Sequence, residues 1–160
     1  GEIPEVATLG SVFTVSVWVR PSSTAVNASG SLLGDFNPGS AGFHLTYGAG
    51  RRVALEIADV GTVAADAILT GQVWSNLTVT YDGSALKLYH DGEIVQTASA
   101  TGDVTAPGWS LQVGKERWAN TAPSANFFDG ELDDLAIWGR VLSEAEVMDI
   151  FLQTLSLIHI

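Results

Sequence analysis

The chain has 160 residues, 46% of them hydrophobic and 16% charged, which is enough apolar surface for one sizeable core and excludes a disordered segment. Seven basic against eighteen acidic side chains give a formal net charge of −11, a field that repels phosphate backbones and anionic lipid head groups. Nucleic acid is therefore a poor partner, and the absence of cysteine removes disulfides, thiolate metal sites and a cysteine nucleophile together.

The opening GEIPEV has neither a basic nor an apolar leader pattern, and no apolar run approaches the roughly 20 residues of a spanning helix, so membrane insertion is not expected. Both ends read as cut, which makes the chain a module of a longer protein with other domains. Alternation of period two then dominates. From Phe13 to Arg20 one face carries Phe13, Val15, Val17 and Val19, and the other carries Trp18 among small hydroxyls. Pro21 ends that strand, having no N–H to donate.

Further strands are expected at Ser31–Phe36, Phe43–Tyr47, Val53–Ala58, Trp74–Tyr81, Ala85–His90, Glu93–Ala98, Ser110–Val113 and Glu131–Trp138. Turn signals separate them, the sharpest being Asp91-Gly92, whose tolerance of positive φ suits a two-residue type I′ hairpin. Short strands at this spacing predict an all-β fold, an antiparallel two-sheet sandwich. One short helix follows. Ser143 and Glu146 form a capping box, Leu142 and Val147 a hydrophobic staple, and Val147, Ile150 and Phe151 an apolar stripe set to cover an edge or end of the sandwich.

Three stretches carry a resemblance: FTVSVWVRP (Phe13–Pro21), GQVWSNLTVTYDGSALKLYHDGEIV (Gly71–Val95) and FFDGELDDLAIWGRVLSEAEV (Phe127–Val147). In this order they resemble the laminin-G-like jelly-roll domains of the concanavalin A-like lectin and glucanase superfamily. The resemblance implies a laminin-G-like domain over residues 1–154, with the first strand of that family missing ahead of Ile3. Leu155–Ile160 fits no part of the pattern; LSLIHI is similar to a translated sequencing adapter and is expected to be a non-native tail.

Within that family resemblance, Glu131-Leu132-Asp133-Asp134 is the nearest approach to a catalytic motif. Retaining β-glucanases of the broad fold use Glu-x-Asp-x-Glu, and retention needs two carboxyl groups roughly 5–5.5 Å apart. Leu135 and Ala136 stand where the second Glu belongs, so no catalytic residue is expected. The three histidines, His44, His90 and His159, share no ligand spacing, and His90 beside its turn is expected to be solvated.

Relatives hold one structural calcium ion near the sandwich rim, which implies Asp133 as ligand with Asp129 and Asp134 beside it. The competing reading of Asp133 is a carboxylate satisfied by backbone amides. Trp18, Trp74 and Trp138 read as packing. Trp118 lies instead in the polar stretch KERWANTAPSAN, where with Arg117 and Asn120 it forms a stacking and hydrogen-bonding set suited to a sugar. The alternative is a ring folded back over the sandwich edge. The sequons at Asn27 and Asn76 are taken as chance matches.

The reading is a non-catalytic, extracellular or cell-surface recognition module of a secreted, bacterial-type protein, with glycan as the leading ligand. The alternative is a structural or protein–protein adhesion domain.

Overall fold

The computed structural model describes residues 2–3, 11–22, 29–37, 41–106, 108, 110–115 and 127–158. Strand β2 (Phe13–Pro21) organises the molecule because its alternation is read on both sides. Phe13, Val15, Val17 and Val19 are each at most 1% exposed and point into the main core. Its neighbours in a five-stranded antiparallel sheet are β7 (Ser75–Tyr81) and β11 (Gly130–Trp138), with β8 (Ala85–His90) and β9 (Glu93–Ser99) completing the order β11-β2-β7-β8-β9.

Facing it is a six-stranded antiparallel sheet of order β1-β10-β3-β4-β5-β6, from β1 (Glu2–Ile3), β10 (Leu111–Val113), β3 (Gly30–Gly34), β4 (Phe43–Gly48), β5 (Arg52–Ile57) and β6 (Gly61–Ala65). The two inner faces interdigitate. Phe13 meets Phe43 of the opposite sheet at a ring-centroid distance of 5.6 Å and Tyr81 of its own at 6.0 Å. Tilted aromatic pairs of this kind add about 0.5–1.5 kcal/mol beyond the area they bury. The expected antiparallel jelly-roll sandwich is the fold observed.

Two strands were not foreseen. β6 has the sequence GTVAA, whose small side chains give weak alternation, and its turn runs through Asp59 at φ 59° rather than a recognisable Gly-containing pair. β1 is two residues long and pairs Glu2 with Gln112 and Ile3 with Leu111. The Asp91-Gly92 hairpin is as expected, with φ 51° and 83° at its two central residues. Gly92 has a second reason to be glycine: a Cβ there would stand 2.8 Å from Met148 Sδ.

Met148 belongs to helix α1 (Glu144–Ile158), which is longer than the short helix expected and lies elsewhere than expected. No glycine or proline follows Glu144, so nothing in the sequence stops the helix before the residues of the tail, and its backbone continues through the first four of them. It starts as the capping box requires, with Glu146 Oε2 accepting from Ser143 N at 2.8 Å and Ser143 Oγ from Glu146 N at 3.2 Å. Rather than an edge, α1 covers the outer face of the five-stranded sheet. Tyr89, Leu142 and Val147 form a second core there, each at most 2% exposed, with Trp138 and Ile150 packed against it.

The outward face of β2 explains this docking. Trp18 is 1% exposed, stacks on Phe151 at 5.7 Å and donates from Nε1 to Thr154 Oγ1 at 2.8 Å. Ser16, Asn76 and Thr78 bond to one another beneath the helix, Asn76 Nδ2 donating to Ser16 Oγ at 3.1 Å. Asn76 is 1% exposed, so its sequon offers no accessible acceptor and is a chance match. Thr14 Oγ1 donates to Arg140 O at 2.9 Å and accepts from Leu142 N at 3.0 Å, fixing the approach to the helix.

Replacing Thr14 with Val keeps the shape but strands the buried Leu142 N–H. Thr14→Val is therefore expected to lose about 1–3 kcal/mol in urea unfolding, with the β-rich circular dichroism spectrum retained.

Candidate functional site

Strand β11 carries the acidic residues singled out in the sequence. Its register with β2 pairs Glu131 with Arg20, Leu132 with Val19 and Asp133 with Trp18, then slips and resumes at Ala136 opposite Ser16. The slip is a β-bulge, with Asp134 at φ 46° as the inserted residue. Insertion preserves the faces: Leu132, Leu135 and Ile137 turn to the core, while Asp133, Ala136 and Trp138 share the outward side of β2.

Glu131 and Asp133 thus share one face as the Glu-x-Asp reading expects. Beyond the bulge the next outward residue paired with β2 is Ala136, so the position of the second Glu in the motif carries no carboxylate. Glu131 is tied to Arg20 in an exposed ion pair, and Asp133 Oδ1 accepts from Asp134 N at 2.9 Å.

Asp129 stands in the turn before β11, where its carboxylate accepts from Ser22 Oγ and its carbonyl from Ser22 N at 2.9 Å. Four extended residues span roughly 13 Å, far more than the ~5 Å across which two oxygens can share one calcium ion. Asp129 and Asp133 are therefore not brought together, and Asp134 is displaced by the bulge. Among the described residues no group of three or more His, Cys, Asp or Glu side chains converges on a metal position. Asp129, Asp133 and Asp134 form no such group. Trp118, Arg117 and Asn120 lie outside the described residues, as do Trp109, Asn27 and His159.

Two shallow depressions border β11. One, of about 350 Å³, lies at the rim between Arg20, Gln72, Asp129 and Glu131. Arg20, the cation among its described lining residues, is spoken for, since it also donates from Nε to Gln72 O at 3.2 Å. The other, of about 290 Å³, lies between α1 and the bulge and is lined by Asn76, Asp134, Trp138, Ile150, Gln153 and Thr154. Nothing in the sequence singled it out, because its walls are the end of one strand and the middle of a helix whose docking face was not legible.

Elsewhere, His44 is 7% exposed on the outward side of β4, its Nε2 3.0 Å from Ser31 Oγ and its ring stacked on Phe36 at 5.6 Å. His90 is not solvated as expected: its Nε2 is buried 3.6 Å from Asp91 Oδ2. At the start of α1, a hydrogen bond from Arg140, supported by the Ser143 amide, holds the Glu146 carboxyl down at about 2. These contacts belong to the cap of the helix. Among the described residues no helix is long and apolar enough to cross a membrane.

Known proteins place this geometry. No curated protein matches the sequence. Among solved structures, the CBM40 module of Ruminococcus gnavus IT-sialidase, determined with alpha2,3 sialyllactose, is similar at 21% identity and a TM-score of 0.71, over 88% of this chain and 82% of that one. The binding domain of botulinum neurotoxin serotype G is similar at 16% identity and a TM-score of 0.70, over 92% of this chain and 37% of that one. A laminin-G family model, described as the concanavalin A-like lectin/glucanases superfamily, matches residues 2–148. The chain belongs to that family of concanavalin A-like sandwiches.

Proposed function

We propose that the chain is a non-catalytic recognition module that binds carbohydrate outside the cell or at its surface, as part of a larger parent protein. The observation that carries this reading is the likeness of nearly the whole sandwich to a carbohydrate-binding module determined with a bound sialylated sugar. The acidic strand supports the non-catalytic half. Its two aligned carboxylates are engaged by Arg20 and by the Asp134 amide, and Ala136 takes the position of a second catalytic acid. A net charge of −11 directs the choice of ligand away from nucleic acid. The second reading, a module that binds a surface protein or other receptor, is favoured by the likeness to the neurotoxin binding domain.

Within this reading Trp118 supplies the stacking surface and Arg117 and Asn120 the polar partners. Trp118→Ala is expected to keep the wild-type melting temperature and to lose binding on a glycan array by at least tenfold. Unfolding of the variant would place the ring in the core, and absence of any glycan signal from the folded wild type would transfer the function to a protein receptor.

Calcium is a separate matter. A calcium ion held by Asp133, Asp129 and Asp134 would add about 2.7 kcal/mol at 100 times its Kd. Because the carboxylates are spread along β11, wild-type melting curves in calcium and in chelator are expected to superimpose. A rise in calcium that disappears in Asp133→Ala would restore the shared site.

A further inference from the structure

The depression between α1 and the β11 bulge has features that packing alone does not require. Asp134 holds φ 46°, a conformation that glycine adopts without strain and that Asp and Asn adopt more readily than other side chains. The bulge needs that backbone to keep Leu135 and Ile137 in the core, but it does not need a carboxylate. The side chain is exposed, and its position lines the depression.

Around it, Trp138 and Ile150 form an apolar wall and Gln153 contributes a side-chain amide, while Asn76 and Thr154, which also line it, are held in the hydrogen bonds beneath the helix. The volume of about 290 Å³ lies at the lower end of small-molecule sites. An indole flank with a carboxylate and one amide at its rim matches a pyranose, whose C–H face packs on the ring while hydroxyls donate to the carboxylate. The carboxylate and the acidic surface disfavour an anionic sugar.

We infer that the groove between Trp138, Asp134 and Gln153 is a binding site for one neutral pyranose residue. This rests on the carbohydrate reading above and gives it a second point of contact on the opposite side of β11 from the core. Asp134 accepts from two neighbouring hydroxyls of the sugar, Gln153 reaches over from α1, and the Trp138 ring takes the apolar face.

The test uses the full chain labelled with ¹⁵N and titrated with methyl pyranosides of galactose, glucose and mannose. At least one is expected to shift the Trp138 indole N–H and the Gln153 side-chain amide together. Asp134→Gly, which accepts the same φ, should fold with an unchanged spectrum elsewhere and bind at least tenfold more weakly, and Gln153→Ala should weaken binding as well. Equal affinity in Asp134→Gly, or shifts confined to other parts of the molecule, would overturn the groove. If the wild type binds glycans on an array while the Trp138 and Gln153 signals stay fixed, the groove fails and the recognition reading stands. If no glycan binds in either format, both fail.

Discussion

Strand β2 is buried on both sides, and the remaining architecture follows from that constraint. Its inward residues, from Phe13 to Val19, join the two sheets across the main core. Its outward residues would leave Trp18 and the small hydroxyls of Thr14 and Ser16 facing water if the sandwich ended there. The indole is large and its N–H needs a partner once covered. Helix α1 supplies both through Phe151 and Thr154, while Thr14 supplies the hydrogen bonds that aim the chain into the helix. The protein is thus three layers deep on this side: a six-stranded sheet, a five-stranded sheet and a helix.

The bulge at Asp134 reconciles this arrangement with the adjoining strand. Were the same residues paired in regular alternation with no bulge, every side chain of β11 beyond Asp133 would change face, turning Leu135 and Ile137 out of the core. With it, Trp138 comes to the side that α1 covers, and Ala136 takes the outward place beside Asp133. One local irregularity therefore sets the packing of the second core and the chemistry of the acidic strand. It also opens the groove between helix and strand, which is why a feature required for folding can serve recognition.

The parts of this structure legible in the sequence are those set by short-range pattern. The alternation of Phe13–Val19 identified β2, the paired positive-φ residues Asp91 and Gly92 identified their hairpin, and Ser143 with Glu146 identified the helix start. β6 was not legible because GTVAA has too little contrast between its faces. The docking of α1 on the sheet face was not legible either, since Trp18 and Thr154 are 136 residues apart and no local pattern links them. Of the candidate site, Asp133 and Glu131 were correctly placed on one face by alternation, but the bulge that separates them from Ala136 depends on core packing and leaves no signature in the residue types. The carboxylates grouped by sequence proximity form no cluster of three or more among the described residues, because an extended strand carries Asp133 away from Asp129. The Trp118 segment lies outside the described residues, so its part in recognition rests on its composition and on the fold that holds it.

The central claim is that α1 belongs to the cooperative fold and is not an appendage laid on a finished sandwich. Amide hydrogen exchange tests it most directly. If β2 needs both of its faces covered, the amides of Leu142 and Val147 should exchange only through the same global opening that releases Val15 and Val79, with the same denaturant dependence. Exchange of the helix orders of magnitude faster, with Val15 and Val79 still fully protected, would show that the sandwich stands without it and would contradict this account.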